Sequence, residues 1–97
     1  MVYKIRLISK ARKELSEARE WYEEKQLGLG DRFVEEVFNK TERVQNNPLH
    51  YPLKNGFREV SIDSFPFLIV YKILKTKELI YITSIFHMSR HPKRKHK

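Results

Sequence analysis

FREVSIDSFPFLIVYKILKTKELIYITSIFHMSR, residues 57–90, is the stretch around which the rest of the chain must be arranged. It contains two apolar runs rich in β-branched and aromatic residues, Phe67 to Leu74 and Leu79 to Phe86, joined by the charged turn Lys75-Thr76-Lys77-Glu78. Such runs fit a pleated, half-buried surface, and the short polar break between them predicts a β-hairpin. In Phe67–Leu74 both faces are apolar apart from Lys72, the pattern of a central strand. Strict alternation through the last strand, Leu79 to His87, assigns Leu79, Tyr81, Thr83, Ile85 and His87 to one face. Ile80, Ile82, Ser84, Phe86 and the following Met88 take the other. Ahead of the hairpin, Arg58 to Ile62 reads as a short strand with Arg58, Val60 and Ile62 sharing a face, and Pro66 fits only at a strand start.

Working outward, Val2 to Ile8 alternates with Tyr3, Ile5 and Leu7 on one side and Lys4 and Arg6 on the other, a half-buried and edge-paired strand. Ser9 stands where a helix N-cap belongs, and Ala11, Leu15, Ala18 and Tyr22 recur at offsets that share one helical face. A first helix over Lys10 to Lys25 follows, with Glu14, Glu17, Glu20 and Glu24 read as ordinary solvated surface. Gly28 and Gly30 break it. Asp31 can cap a second helix whose apolar positions are Phe33, Val34, Val37, Phe38 and Val44. Asn46-Asn47-Pro48, Pro52 and Asn55-Gly56 punctuate an irregular return to the sheet, in which His50 and Tyr51 are minor ligand candidates, with a plug at the end of the core as the structural alternative for Tyr51. The order is β-α-α-β-β-β: an α+β, two-layer fold with a helical hairpin packed on an antiparallel sheet.

Ninety-seven residues support one core, so residues 1–90 are expected to form a single domain, followed by a basic tail at 91–97. With no cysteine and four scattered histidines, neither a disulfide framework nor a metal cofactor is expected. No apolar run approaches the ~20 residues that span a bilayer, and Met1 leads directly into a patterned strand. The expectation is a cytoplasmic protein with no membrane association. The net charge of +8 is concentrated at one end: Arg90, Lys93, Arg94, Lys95 and Lys97 follow the last acid, Glu78, and the remainder holds fifteen bases against twelve acids. Such a cluster attracts nucleic acid, the ribosome or an acidic protein segment, whereas a terminal Lys/Arg run with no such role is a solvated tail.

No phosphate-binding glycine loop, Ser/His/Asp set, carboxylate pair or metal-ligand spacing is present, which argues against a self-contained metabolic active site. The candidates that remain are Arg58, Tyr71, His87 and Arg90, with Lys93, Arg94 and Lys95 as contacts to nucleic acid or another target. Arginine grips phosphate bidentately, tyrosine stacks or donates its hydroxyl, and histidine moves protons near neutral pH. Each has a structural alternative. Arg58 can pair with a carboxylate, Tyr71 between Val70 and Ile73 can be core, and His87 can satisfy a backbone carbonyl. Arg90 is the strongest functional candidate.

At these residues the chain resembles the RelE/ParE superfamily of type II toxin–antitoxin toxins, over nearly its whole length. The likeness rests on the element order, on Phe57-Arg58 opening the second strand, and on Phe65-Pro66-Phe67-Leu68-Ile69-Val70-Tyr71. It also rests on Ile85-Phe86-His87-Met88-Ser89-Arg90-His91-Pro92, similar to a closing "hydrophobic-His-x-x-Arg-x-Pro" pattern. The resemblance implies a toxin held inactive by a cognate antitoxin, whose C-terminal segment wraps the toxin and which represses the shared operon. It also implies one of two activities: RelE-like cleavage of mRNA on the ribosome without a metal, or ParE-like block of DNA gyrase. Leu68 stands where RelE-like members carry an arginine in the central strand. Losing one phosphate clamp costs on the order of a hundredfold in rate, so the departure favours the ParE-like branch. A homologue that only binds antitoxin is a further alternative.

Overall fold

The computed structural model describes residues 3–89. The chain runs through β1 (Lys4–Leu7), α1 (Ser9–Lys25), α2 (Leu29–Asn46), β2 (Leu53–Lys54), β3 (Phe57–Ser61) and β4 (Phe67–Leu74), then a 3-10 turn at Lys75–Lys77 and β5 (Leu79–His87). Five strands form one sheet in the order β1-β5-β4-β3-β2. From β2 to β5 each pairing is antiparallel. β1 is an edge strand as expected, but it runs parallel to β5. A parallel neighbour cannot be reached by a tight turn, so the connection from β1 carries the helical hairpin across the sheet. Two helices on a mostly antiparallel sheet make this the α+β two-layer fold that the pattern predicts.

The helix face built from Ala11, Ala18 and Tyr22 meets Phe33, Val37 and Val44 of α2 and Ile69, Tyr71, Ile80, Ile82 and Ile85 of the sheet. Tyr22, Phe33, Phe65 and Phe67 close one end of this core, with edge-to-face and tilted ring contacts such as 4.8 Å between the Tyr22 and Phe65 centroids. Phe38 departs from expectation and leaves 52% of its surface exposed. It follows Val37 by about 100° around the helix, which carries it past the edge of the buried stripe.

Both helix starts differ from the sequence reading. α1 begins at Ser9 with Ile8 at the cap and no side-chain cap bond; the Ser9 hydroxyl accepts from Arg12 instead, at 3.2 Å. α2 is entered through Gly28, whose φ of 86° is left-handed. Asp31 lies inside the first turn and pairs with Arg19 at 2.6 Å, so it does not cap. Glu23 of α1 does this from the side, its two carboxylate oxygens accepting the Gly28 and Gly30 N–H groups at 2.8 and 2.9 Å. The return segment is also less irregular than expected. Asn55-Gly56, with φ of 53° and 82°, turns β2 onto β3 as a two-residue hairpin.

One irregularity reorganises the closing strand. Tyr71 pairs with Ile82 but Val70 pairs with Ser84, so Thr83 is an extra residue in β5. A bulge of this kind reverses the alternation beyond it. The face read from strict alternation is therefore corrected: Ile80 and Ile82 share the helix-facing layer with Ile85, and His87 lies opposite Phe67 on that layer. Because nearly every residue from Leu79 to Phe86 is apolar, a one-residue shift leaves no trace in the hydrophobic pattern.

Candidate functional site

Arg58 and Tyr71 are directly opposite each other on β3 and β4. Both side chains turn to the segment that leaves α2. The Arg58 guanidinium donates from Nη1 to the Tyr51 carbonyl at 2.7 Å and more weakly to that of Leu49 at 3.4 Å. Tyr71 is wholly buried, and its hydroxyl donates to the Pro48 carbonyl at 2.7 Å. Burial pushes the phenol up to about 12, against the opposing pull of the Arg58 charge. Three carbonyls of the loop, those of Pro48, Leu49 and Tyr51, are thus tied to the sheet by two side chains. Tyr51 itself packs against the core, and its ring meets His50 edge to face.

His87 lies elsewhere. It pairs with Phe67, four residues along β4 from Tyr71, which at the strand rise is about 13 Å away. Its ring is edge-on to Phe67 with centroids 5.0 Å apart, and its Nδ1 accepts the Ser89 N–H at 3.1 Å. With Glu14, Glu17, Trp21 and Phe67 it lines a groove of about 370 Å³ between α1 and the end of the hairpin. The fold therefore brings Arg58 and Tyr71 together and keeps His87 apart from them. Arg90, Lys93, Arg94 and Lys95 lie outside the described residues. Among the described residues, no three His, Asp or Glu side chains converge as a metal site would require.

Three features escaped the sequence reading. Glu14, grouped there with solvated glutamates, reaches Ser84 and Ile85 in the sheet. A groove of about 630 Å³ crosses the β1 edge between Leu15 and Phe38 on one side and Arg6 and Tyr81 on the other. A third, of about 200 Å³, opens between the loop and the end of β4, where Leu49, Leu53 and Leu74 are exposed. Leucines in a Pro- and Asn-punctuated loop were the available signal for the last of these.

Solved structures share this arrangement at low sequence identity. The chromosomal ParDE toxin–antitoxin system from P. aeruginosa superposes with a TM-score of 0.70 at 14% identity, covering 89% of this chain and 96% of that one. The intact E. coli RelBE toxin–antitoxin complex gives 0.66 at 20% identity, covering 91% and 99%. The RelBE2 complex from Mycobacterium tuberculosis gives 0.60 at 18%, covering 90% and 99%. No curated protein sequence matches the chain significantly. The sequence profile described as "ParE toxin of type II toxin-antitoxin system, parDE" matches residues 5–92. That match spans both helices and the whole sheet apart from the first residue of β1, and the chain belongs to the ParE toxin family of type II toxin–antitoxin systems.

Proposed function

We propose that this toxin inhibits DNA gyrase by binding it, cleaves no bond itself, and is neutralised by a cognate antitoxin in the cytoplasm. The observation that carries this reading is the use to which Arg58 and Tyr71 are put. A ribonuclease of this fold needs cationic and phenolic groups aimed at a phosphate. Here the guanidinium serves the Leu49 and Tyr51 carbonyls, the phenol serves Pro48, and Leu68 supplies no charge. Supercoiling by purified gyrase in the presence of the toxin is the test, with inhibition expected; full supercoiling at toxin excess refutes the reading.

Two observations support an antitoxin seat at β1. Lys4 donates its N–H to the Glu78 carbonyl just before β5 and Ile8 donates to Ile82 within it, so the alternate residues Ile5 and Leu7 turn theirs outward. Beside that edge runs the groove between Leu15, Phe38 and Tyr81. Among the described residues no helix is long and apolar enough to cross a membrane.

A second reading has its own support in the groove at His87. In a ribosome-dependent endoribonuclease, His87 would act as general acid or base while Arg90 holds the phosphate; Arg58, expected from the sequence to share that role, is instead set beside Tyr71 and bound to loop carbonyls, apart from His87. Cleavage of message in the ribosomal A site, abolished by joint His87→Ala and Arg90→Ala replacement, would establish it. Growth arrest that survives the double replacement removes its basis, and no growth defect at all would indicate a homologue that retains only antitoxin binding.

A further inference from the structure

The loop tied down by Arg58 and Tyr71 holds an apolar surface open. Leu49 and Leu53 keep 50% and 60% of their surface exposed, and Leu74 across from them keeps 36%. Taking a leucine side chain out of water is strongly favourable, so three gathered around one opening form the kind of patch that marks an interaction site. The opening holds about 200 Å³. That is less than the roughly 300 Å³ at which small-molecule sites begin, and suits one or two anchoring side chains of a protein.

The rim is cationic. Lys72 and Lys75 line the opening, Lys54 follows Leu53, and Lys77 lies in the adjoining turn. Of these, Lys54 stands 4.0 Å from Glu59 and stays mostly exposed. A nucleic-acid strand would want an open aromatic face and a bidentate arginine. Neither is offered here: the Lys72 ammonium sits 4.4 Å over the Phe57 ring, Tyr71 is buried, and Arg58 is committed to loop carbonyls.

We infer that this face docks an amphipathic, acidic segment of the toxin's protein target, with apolar side chains seated among Leu49, Leu53 and Leu74 and carboxylates over Lys72 and Lys75. The inference rests on the reading that the toxin acts by protein contact, and it names the surface that makes that contact. The apolar part of this face borders β2 and the proposed antitoxin seat lies at β1, the opposite edge of the sheet; the two come nearest where Lys72 pairs with Tyr81.

The test compares the full chain with two variants, the triple Leu49→Ser/Leu53→Ser/Leu74→Ser and the double Lys72→Glu/Lys75→Glu. Growth arrest on induction, inhibition of purified gyrase, co-purification with the adjacent gene product and thermal melting are measured. The expected result is a loss of potency on the order of tenfold or more in both variants, with antitoxin binding and melting unchanged. The lysine double carries the test if the triple folds poorly. Wild-type potency in both variants overturns the inference while leaving gyrase inhibition standing. Loss of antitoxin binding in parallel overturns it by assigning the face to the antitoxin. Loss confined to the lysine variant, with salt-sensitive binding of a single-stranded RNA oligonucleotide, overturns it in favour of nucleic acid. If the wild type arrests growth without touching gyrase and both variants abolish arrest, the docking face stands and the gyrase reading falls. A wild type inert in both assays overturns both.

Discussion

One oxygen of the Glu14 carboxylate accepts the Ser84 hydroxyl at 3.0 Å and also, at 3.0 Å, the N–H of Ile85. Both donors lie just beyond Thr83, where the bulge disrupts the ladder between β4 and β5. A bulge leaves local backbone groups short of strand partners, and α1 supplies an acceptor from the layer above. Glu14→Ala removes it from two donors in a part-buried site, with an expected loss of about 1–3 kcal/mol in urea unfolding. Glu14→Gln keeps an amide oxygen at that position and should lose less than half as much. A change under about 0.5 kcal/mol in the alanine variant would show that water replaces the carboxylate freely.

Replacing a helical glycine by alanine ordinarily stabilises by about 1 kcal/mol. Gly30 should reverse that sign. A Cβ there would meet the Arg19 carbonyl and the Glu23 carboxylate that caps α2. The backbone obstacle cannot rotate away, so the helices must separate, and Gly30→Ala is expected to cost about 1–3 kcal/mol. Equal or higher stability, measured by denaturant unfolding, would mean that the helical hairpin yields more easily than its close approach implies.

How much of this was legible in the sequence depended on whether a residue's role was set by its neighbours in the chain or by residues far away. Ala11, Ala18, Tyr22, Phe33 and Val37 announced their faces because a helix repeats its own geometry, and all are buried. Lys75-Thr76-Lys77-Glu78 marked the hairpin turn for the same reason. The parallel pairing of β1 was not legible, since an edge strand alternates alike in either direction. Nor was the Thr83 bulge, because both faces of β5 are apolar and slippage leaves the composition unchanged. The site suffered most. Arg58 and Tyr71 stood as two of four separate candidates by residue type, but their partners are carbonyls of Leu49, Tyr51 and Pro48, which any sequence supplies.

Arg58 offers a direct measure of that distinction. A guanidinium fork can reach the Leu49 and Tyr51 carbonyls together, whereas a lysine ammonium is a single point charge on a flexible stem. Arg58→Lys should therefore cost about 1–2 kcal/mol and accelerate amide hydrogen exchange across residues 47–56. Growth arrest should decline only in proportion to the folded fraction. Arrest abolished with stability unchanged would make Arg58 a contact to the target instead of a loop anchor.

Tyr71 makes the same assignment testable by pH. Its phenol is held up to about 12 against an ordinary 10.0, by burial. Below pH 10 it is protonated in both the folded and unfolded chain and contributes no pH dependence. Between pH 10 and 12 the unfolded chain releases this proton while the folded chain keeps it, so stability falls by at most roughly 1.4 kcal/mol per pH unit. Tyr71→Phe should be less stable by about 1–2 kcal/mol at pH 8, because the Pro48 carbonyl loses its donor. Comparing wild type with this variant isolates the contribution of the Tyr71 hydroxyl. The gap between wild type and variant should accordingly narrow as pH rises above 10 and close, or reverse, as it approaches 12. A gap that stays constant from pH 8 to 11.5 in urea unfolding would mean that the hydroxyl ionises as readily in the folded chain, and is not sealed against the Pro48 carbonyl.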